Sequence, residues 1–310
     1  MVASIKTREL LTVAAGGVSL RGTHHKVQPE LLARPEEMNR TGVLFLNSGF
    51  SPRAAGGDAS VYWADAFAKC GYPSFRFDLP GLGDSDGELP GKVLEFAHLV
   101  NTGHYASFVS RAAKYLTDRF NLSGVVLVGH CAGAVSAIYG AAAASKQVKG
   151  LVLLDAYFFR EEEVAGANIR REIILWAMRN KLAAQLTGLY GRLSKVGARV
   201  KKNELPKNAN LPLIRCWNHL AAAGVPMLVL NSRAPTSREG EFDYLSYLQA
   251  QSRAGRIAVK FIERANHSFA DDLGRAAVQQ HTEQWLNACF PLVERDQLAF
   301  SAPLTVNHPR

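Results

Sequence analysis

Strand-length apolar runs alternate with helix-length segments through most of this chain, and that alternation limits the fold more than any other feature. "GVLFLNSGF" (42–50), "YPSFRFDLPG" (72–81), "GVVLVG" (124–129), "GLVLLDA" (150–156), "VPMLVLNS" (225–232) and "RIAVKFIE" (256–263) read as strands. Between them lie helical patterns at "DASVYWADAFAKCG", about 104–120, "AGAVSAIYGAAAAS" and about 239–253, with a last helix running from Asp271 towards Phe290. A strand, a helix and a parallel strand join by a right-handed crossover, so the order predicts a mostly parallel sheet with helices on both faces. Residues 10–28 alternate apolar and polar about Gly16-Gly17, which predicts an antiparallel hairpin ahead of the parallel part.

The alternation breaks once. Residues 157–222 hold no strand-like run, and Leu182, Leu186, Leu189, Leu193, Val196 and Val200 recur there on one helical face. This predicts a helical cap inserted into a core made of residues 1–156 and 223–290, followed by a C-terminal extension, 291–310. Eleven Lys or Arg against five Glu lie between Arg160 and Lys207, much of the chain's net charge of +9. Their interleaving with leucines reads as a solvated helical face rather than a nucleic-acid surface.

Composition excludes several classes. With 47% hydrophobic and 20% charged residues the chain is globular rather than disordered. No apolar run is long enough to span a membrane and the N-terminus lacks a secretory pattern, so the expectation is a cytoplasmic protein with no membrane partner. Cys70, Cys131, Cys216 and Cys289 have no metal-like spacing and suit a reducing compartment. Neither a metal nor a cofactor is expected.

The chemistry concentrates at "LVGHCAGA" (127–134). A strand, Gly129-His130-Cys131-Ala132-Gly133 and an alanine-rich helix form the strand, sharp turn and helix that present a nucleophile above a sheet. The positive end of the helix favours a thiolate, and the Ala132 N–H can donate to an oxyanion. On these residues the chain resembles the α/β-hydrolase-fold superfamily from about residue 10 to residue 290, with cysteine where serine is usual.

The resemblance implies further roles. A second oxyanion donor falls on the Phe50 N–H, in Asn47-Ser48-Gly49-Phe50. The base falls on His267, in Arg264-Ala265-Asn266-His267-Ser268-Phe269 after the last strand. The usual acid position, after the seventh strand, has no aspartate where that strand ends, and Asp155 stands after the sixth, as in haloalkane dehalogenases. Asp155 is preferred, with Glu239 or Asp243 as alternatives. Asp84 and Asp86, in "FDLPGLGDSDG", carry structural roles.

Three functions stay open. One is hydrolysis of an ester or thioester through a thioester acyl-enzyme. A second is acyl transfer to an amine, alcohol or thiol, with the acyl group carried on coenzyme A or an acyl carrier protein that the basic segment would attract. The third is a non-catalytic binding protein, and replacement of a natural serine is the last alternative for Cys131.

Overall fold

The computed structural model describes residues 7–28, 40–160, 205–232, 242–251 and 256–292. Among these residues eight strands form one sheet: β1 (Arg8–Ala15), β2 (Val18–His25), β3 (Thr41–Phe45), β4 (Ser74–Phe77), β5 (Gly124–His130), β6 (Val148–Leu154), β7 (Met227–Asn231) and β8 (Ile257–Phe261). Their order is β1-β2-β4-β3-β5-β6-β7-β8. The first two joins are antiparallel and every later one is parallel.

The expected hairpin closes with Ala15 opposite Val18, and Gly16 and Gly17 have φ of 61° and 88°. Two consecutive positive φ values give the turn whose twist matches its strands, and glycine reaches them without strain.

Among the described residues seven α-helices accompany the sheet: α1 (Ala59–Lys69), α2 (Val93–Asn101), α3 (Ala106–Phe120), α4 (Ala132–Ala143), α5 (Leu211–Ala222), α6 (Tyr244–Gln251) and α7 (Asp272–Cys289). Strand side chains alternate between two layers, as a pleat requires. Leu44, Leu127, Leu151 and Val229 face α3, α4 and α5, whereas Val43, Val126, Val152 and Leu228 face α1 and α7. Helix α4 lies between the sheet, α3 and α5, and is buried from Ala132 to Ala141. Such enclosure explains its small residues, since a helix buried all round cannot carry a polar face.

Two elements depart from expectation. Helix α2 was not legible, because it is short and buries only Phe96, Val100 and Asn101. The end of the expected cap, α5, packs against α4, and its Leu213, Ile214, Trp217 and Leu220 join the same core cluster. The leucine stripe from 182 to 200 and the extension beyond 292 lie outside the described residues. No helix among the described residues is long and apolar enough to cross a membrane.

Candidate active site

Strands β5, β6 and β7 end side by side, and each continues into a residue of one hydrogen-bonded chain. Cys131 follows β5 with φ 54° and ψ −115°, a conformation costly for any residue with a side chain. Its N–H donates to the Leu154 carbonyl at 2.9 Å, tying the turn to the end of β6. The flanking glycines have a measurable reason. A Cβ at Gly129 would lie 2.3 Å from the Gly133 carbonyl oxygen, and one at Gly133 would lie 2.4 Å from the Asn47 carbonyl oxygen.

Asp155 follows β6, also at positive φ (44°), with its N–H donating to the Leu230 carbonyl. Its Oδ2 is 2.7 Å from Nδ1 of His267. His267 stands in the loop after β8, between Arg264 and Phe269, which have φ of 63° and 49°. The structure thus brings together Cys131, His267 and Asp155. Asp243 is elsewhere employed: its carboxylate accepts from the N–H and hydroxyl of Ser246 at the start of α6. Glu239 lies outside the described residues.

Electrostatics follow from this arrangement. The hydrogen bond to Asp155, and after it the hydrogen bond with Cys131, pushes the His267 imidazole up to about 10. Burial alone would raise Asp155, but hydrogen bonds from His267 and Ser232 outweigh it and hold the carboxyl below its ordinary value. A base this strong keeps a proton through neutrality.

Sequence reasoning missed Ser232. It ends the β7 segment, where relatives of this fold usually carry their acid, and donates its N–H (2.7 Å) and hydroxyl (2.6 Å) to Asp155. A serine in that position, beside an aspartate after the preceding strand, was the available signal. His130 precedes Cys131 directly, and its ring bonds Ser48 and the His267 backbone.

Ala132 opens α4, and Phe50 occupies a turn closed by Ser51 N–H to the Ser48 carbonyl, its ring tilted against Phe96 with centroids 4.3 Å apart. Asn47 anchors that turn, donating from Nδ2 to Ser51 and Asp78 and accepting from the Leu79 N–H. Asp78 is fully buried and also bonds the Arg53 N–H and guanidinium, which reaches on to Asp84. Asp86 accepts from the Ser19 N–H. Asp84 and Asp86 therefore brace loops.

His130, Asp155 and His267 could hold a metal ion by spacing alone, their ligand atoms lying within 4.8 Å of one another. Both His130 nitrogens and the His267 Nδ1 are already engaged in hydrogen bonds. A cavity of about 620 Å³ lies beside α2, lined by Pro90, Leu94, His98, Leu99 and Arg160, and includes none of the three.

Comparison with known proteins agrees with the fold described above. A family model described as the alpha/beta hydrolase fold matches residues 43–192. An esterase from Pyrococcus furiosus superposes with a TM-score of 0.60 at 13% identity, over 91% of this chain and 91% of its own. Est1E from Butyrivibrio proteoclasticus, solved with ferulic acid bound, gives 0.54 at 14% identity over 90% and 98%. The haloalkane dehalogenase DatA from Agrobacterium tumefaciens gives 0.54 at 13% identity over 92% and 98%. No curated protein sequence matches.

Proposed function

Because this chain has the α/β-hydrolase fold, we propose that it hydrolyses an ester or thioester through a covalent intermediate on Cys131. The observation that carries the reading is the continuous chain from Asp155 through His267 to Cys131, assembled from the ends of β5, β6 and β8. Its similarity in fold to the Pyrococcus furiosus esterase supports the same class of reaction.

In this reaction His267 holds the thiol's proton, and Cys131 Sγ adds to the substrate carbonyl carbon. The carbonyl π electrons move to oxygen, where the Phe50 and Ala132 N–H groups stabilise the oxyanion. Collapse expels the alcohol or thiol, which takes the proton from His267, and leaves a thioester on Cys131. Water then attacks that thioester, giving its proton to His267. The second collapse releases the carboxylic acid, and the Cys131 sulfur leaves with the bonding electron pair while His267 keeps the proton gained from water. Asp155 holds the imidazole with its Nδ1–H inward and stabilises the imidazolium throughout.

The test is intact-protein mass spectrometry after incubation with a panel of p-nitrophenyl esters and acyl thioesters. An acyl mass on Cys131, lost in His267→Ala and released by water, is expected. Release only to an added amine or thiol would make the protein an acyltransferase, and complete inertness would favour a binding role.

A further inference from the structure

We propose that His130 is a positioning residue, whose ring fixes both the His267 loop and the turn bearing Phe50 against the nucleophile. This inference takes the proposed Cys131 chemistry as its setting. His130 is the last residue of β5 and so moves with the cysteine turn. Its Nε2 lies 2.6 Å from the backbone carbonyl oxygen of His267, and its Nδ1 lies 2.6 Å from Ser48 Oγ.

The chemistry of these partners sets the tautomer. A carbonyl oxygen only accepts, so Nε2 carries the proton, and the bare Nδ1 accepts from the Ser48 hydroxyl. Burial, and then the charge of His267, push the ring down to about 4, which keeps this single tautomer through neutrality. The imidazole is therefore unsuited to be a second base.

The His267 loop depends on this contact. His267 ties this loop to the rest of the protein: its ring bonds Asp155 and Cys131, and its carbonyl accepts from His130. Other ties are local: Ala265 N–H to Ile262, Phe269 N–H to Asn266, Asn266 N–H to Asp271, and Ser268 Oγ to Asn266 Oδ1. The His130 ring also meets the His267 ring at 4.8 Å and the buried Phe269 edge-on at 5.8 Å. At its other end Ser48 closes the turn around Phe50. One ring thus sets three loops in register.

The experiment compares His130→Phe, which keeps a ring but no hydrogen bonds, with His130→Gln, whose amide nitrogen can replace the Nε2 donor. Titration of His267 by carbon NMR reads its alignment with Asp155 whether or not the protein turns over any ester. Steady-state hydrolysis supplies the kinetic arm. His130→Phe is expected to bring the His267 titration down towards its ordinary range. It should also lower kcat by about 10- to 100-fold with KM unchanged, the scale of a misplacement of about 1 Å. His130→Gln is expected to restore most of both. An unshifted His267 titration in His130→Phe overturns the proposal, as does an equal loss in His130→Gln. If His130→Phe does not fold, Ser48→Ala should shift His267 in the same direction by less, and no shift there overturns it. Absence of turnover by the unmodified protein would count against the Cys131 mechanism alone, since the NMR arm still decides the role of His130.

Discussion

Ser232 donates both its backbone N–H and its hydroxyl to Asp155, at 2.7 and 2.6 Å, so the carboxylate that faces His267 is held from behind by the adjacent strand end. Removing the hydroxyl leaves the backbone bond and the contact with His267. Ser232→Ala should therefore lower kcat by roughly 10-fold, as for one hydrogen bond to a charged group of about 1.5 kcal/mol. Asp155→Asn should cost more, but less than the ~10⁴ of a serine triad, because a thiol ionises more readily than a hydroxyl. Steady-state kinetics on one ester decide the ranking, and a larger loss in Ser232→Ala would contradict it.

The pH profile should be broad on its alkaline side. His267 supplies the leaving group's proton, so acylation should decline as pH rises through about 10, and Asp155→Asn should bring that limb down towards the ordinary imidazole range near 6.5. The folded value exceeds the unfolded one. Stability from this proton is thus complete below about pH 6.5 and lost as pH rises through about 10. Thermal melts from neutrality to pH 10, compared between the two proteins, measure the difference.

His267→Ala should lower acylation by about 10²- to 10⁴-fold, the usual contribution of a positioned acid and base. Cys131→Ser should also lose activity, because a hydroxyl depends more heavily on His267 than a thiol does. A large gain in Cys131→Ser would instead identify serine as the natural nucleophile. Stopped-flow bursts with an activated ester distinguish these outcomes.

Gly133→Ala would drive its methyl into the Asn47 carbonyl oxygen, at 2.4 Å, where neither backbone can yield easily. A loss of stability of about 1–3 kcal/mol is expected, together with loss of turnover from displacement of the Phe50 turn. Denaturant melts and kinetics read the two effects separately.

His24 offers a control remote from the reaction. It is stacked on Phe75 at 4.7 Å, packed against Phe120, and its buried Nδ1 has no hydrogen-bond partner. Burial pushes His24, His25 and His130 down to about 4. An unfolded histidine binds its proton nearer 6.5, so stability should be complete above that pH and fall as pH drops towards 4. His24→Phe should flatten that decline and raise stability by about 1 kcal/mol, through removal of an unsatisfied polar atom. Melts at pH 7 and pH 5 test both parts.

How much was legible in the sequence depended on the range of the interaction. The βα alternation, the Gly16-Gly17 turn and the glycine-flanked cysteine are local patterns, and the observed elements fall where those patterns place them. The acid was ambiguous because three carboxylates follow two strands, and only the lateral order of β6 and β7 brings Asp155 to the His267 loop. The bonds made by Ser232 and His130 were missed for a related reason. Their partners stand 77 and 137 residues away, and no periodicity records a hydrogen bond across such a distance. Helix α2 escaped because its few buried residues make too weak a pattern.

The φ of 54° at Cys131 also has a thermodynamic consequence. Glycine would occupy that backbone geometry without penalty, whereas a side chain there costs about 1–3 kcal/mol. The fold therefore holds a thiol at this turn against its own stability, and the opposition is visible in one dihedral angle.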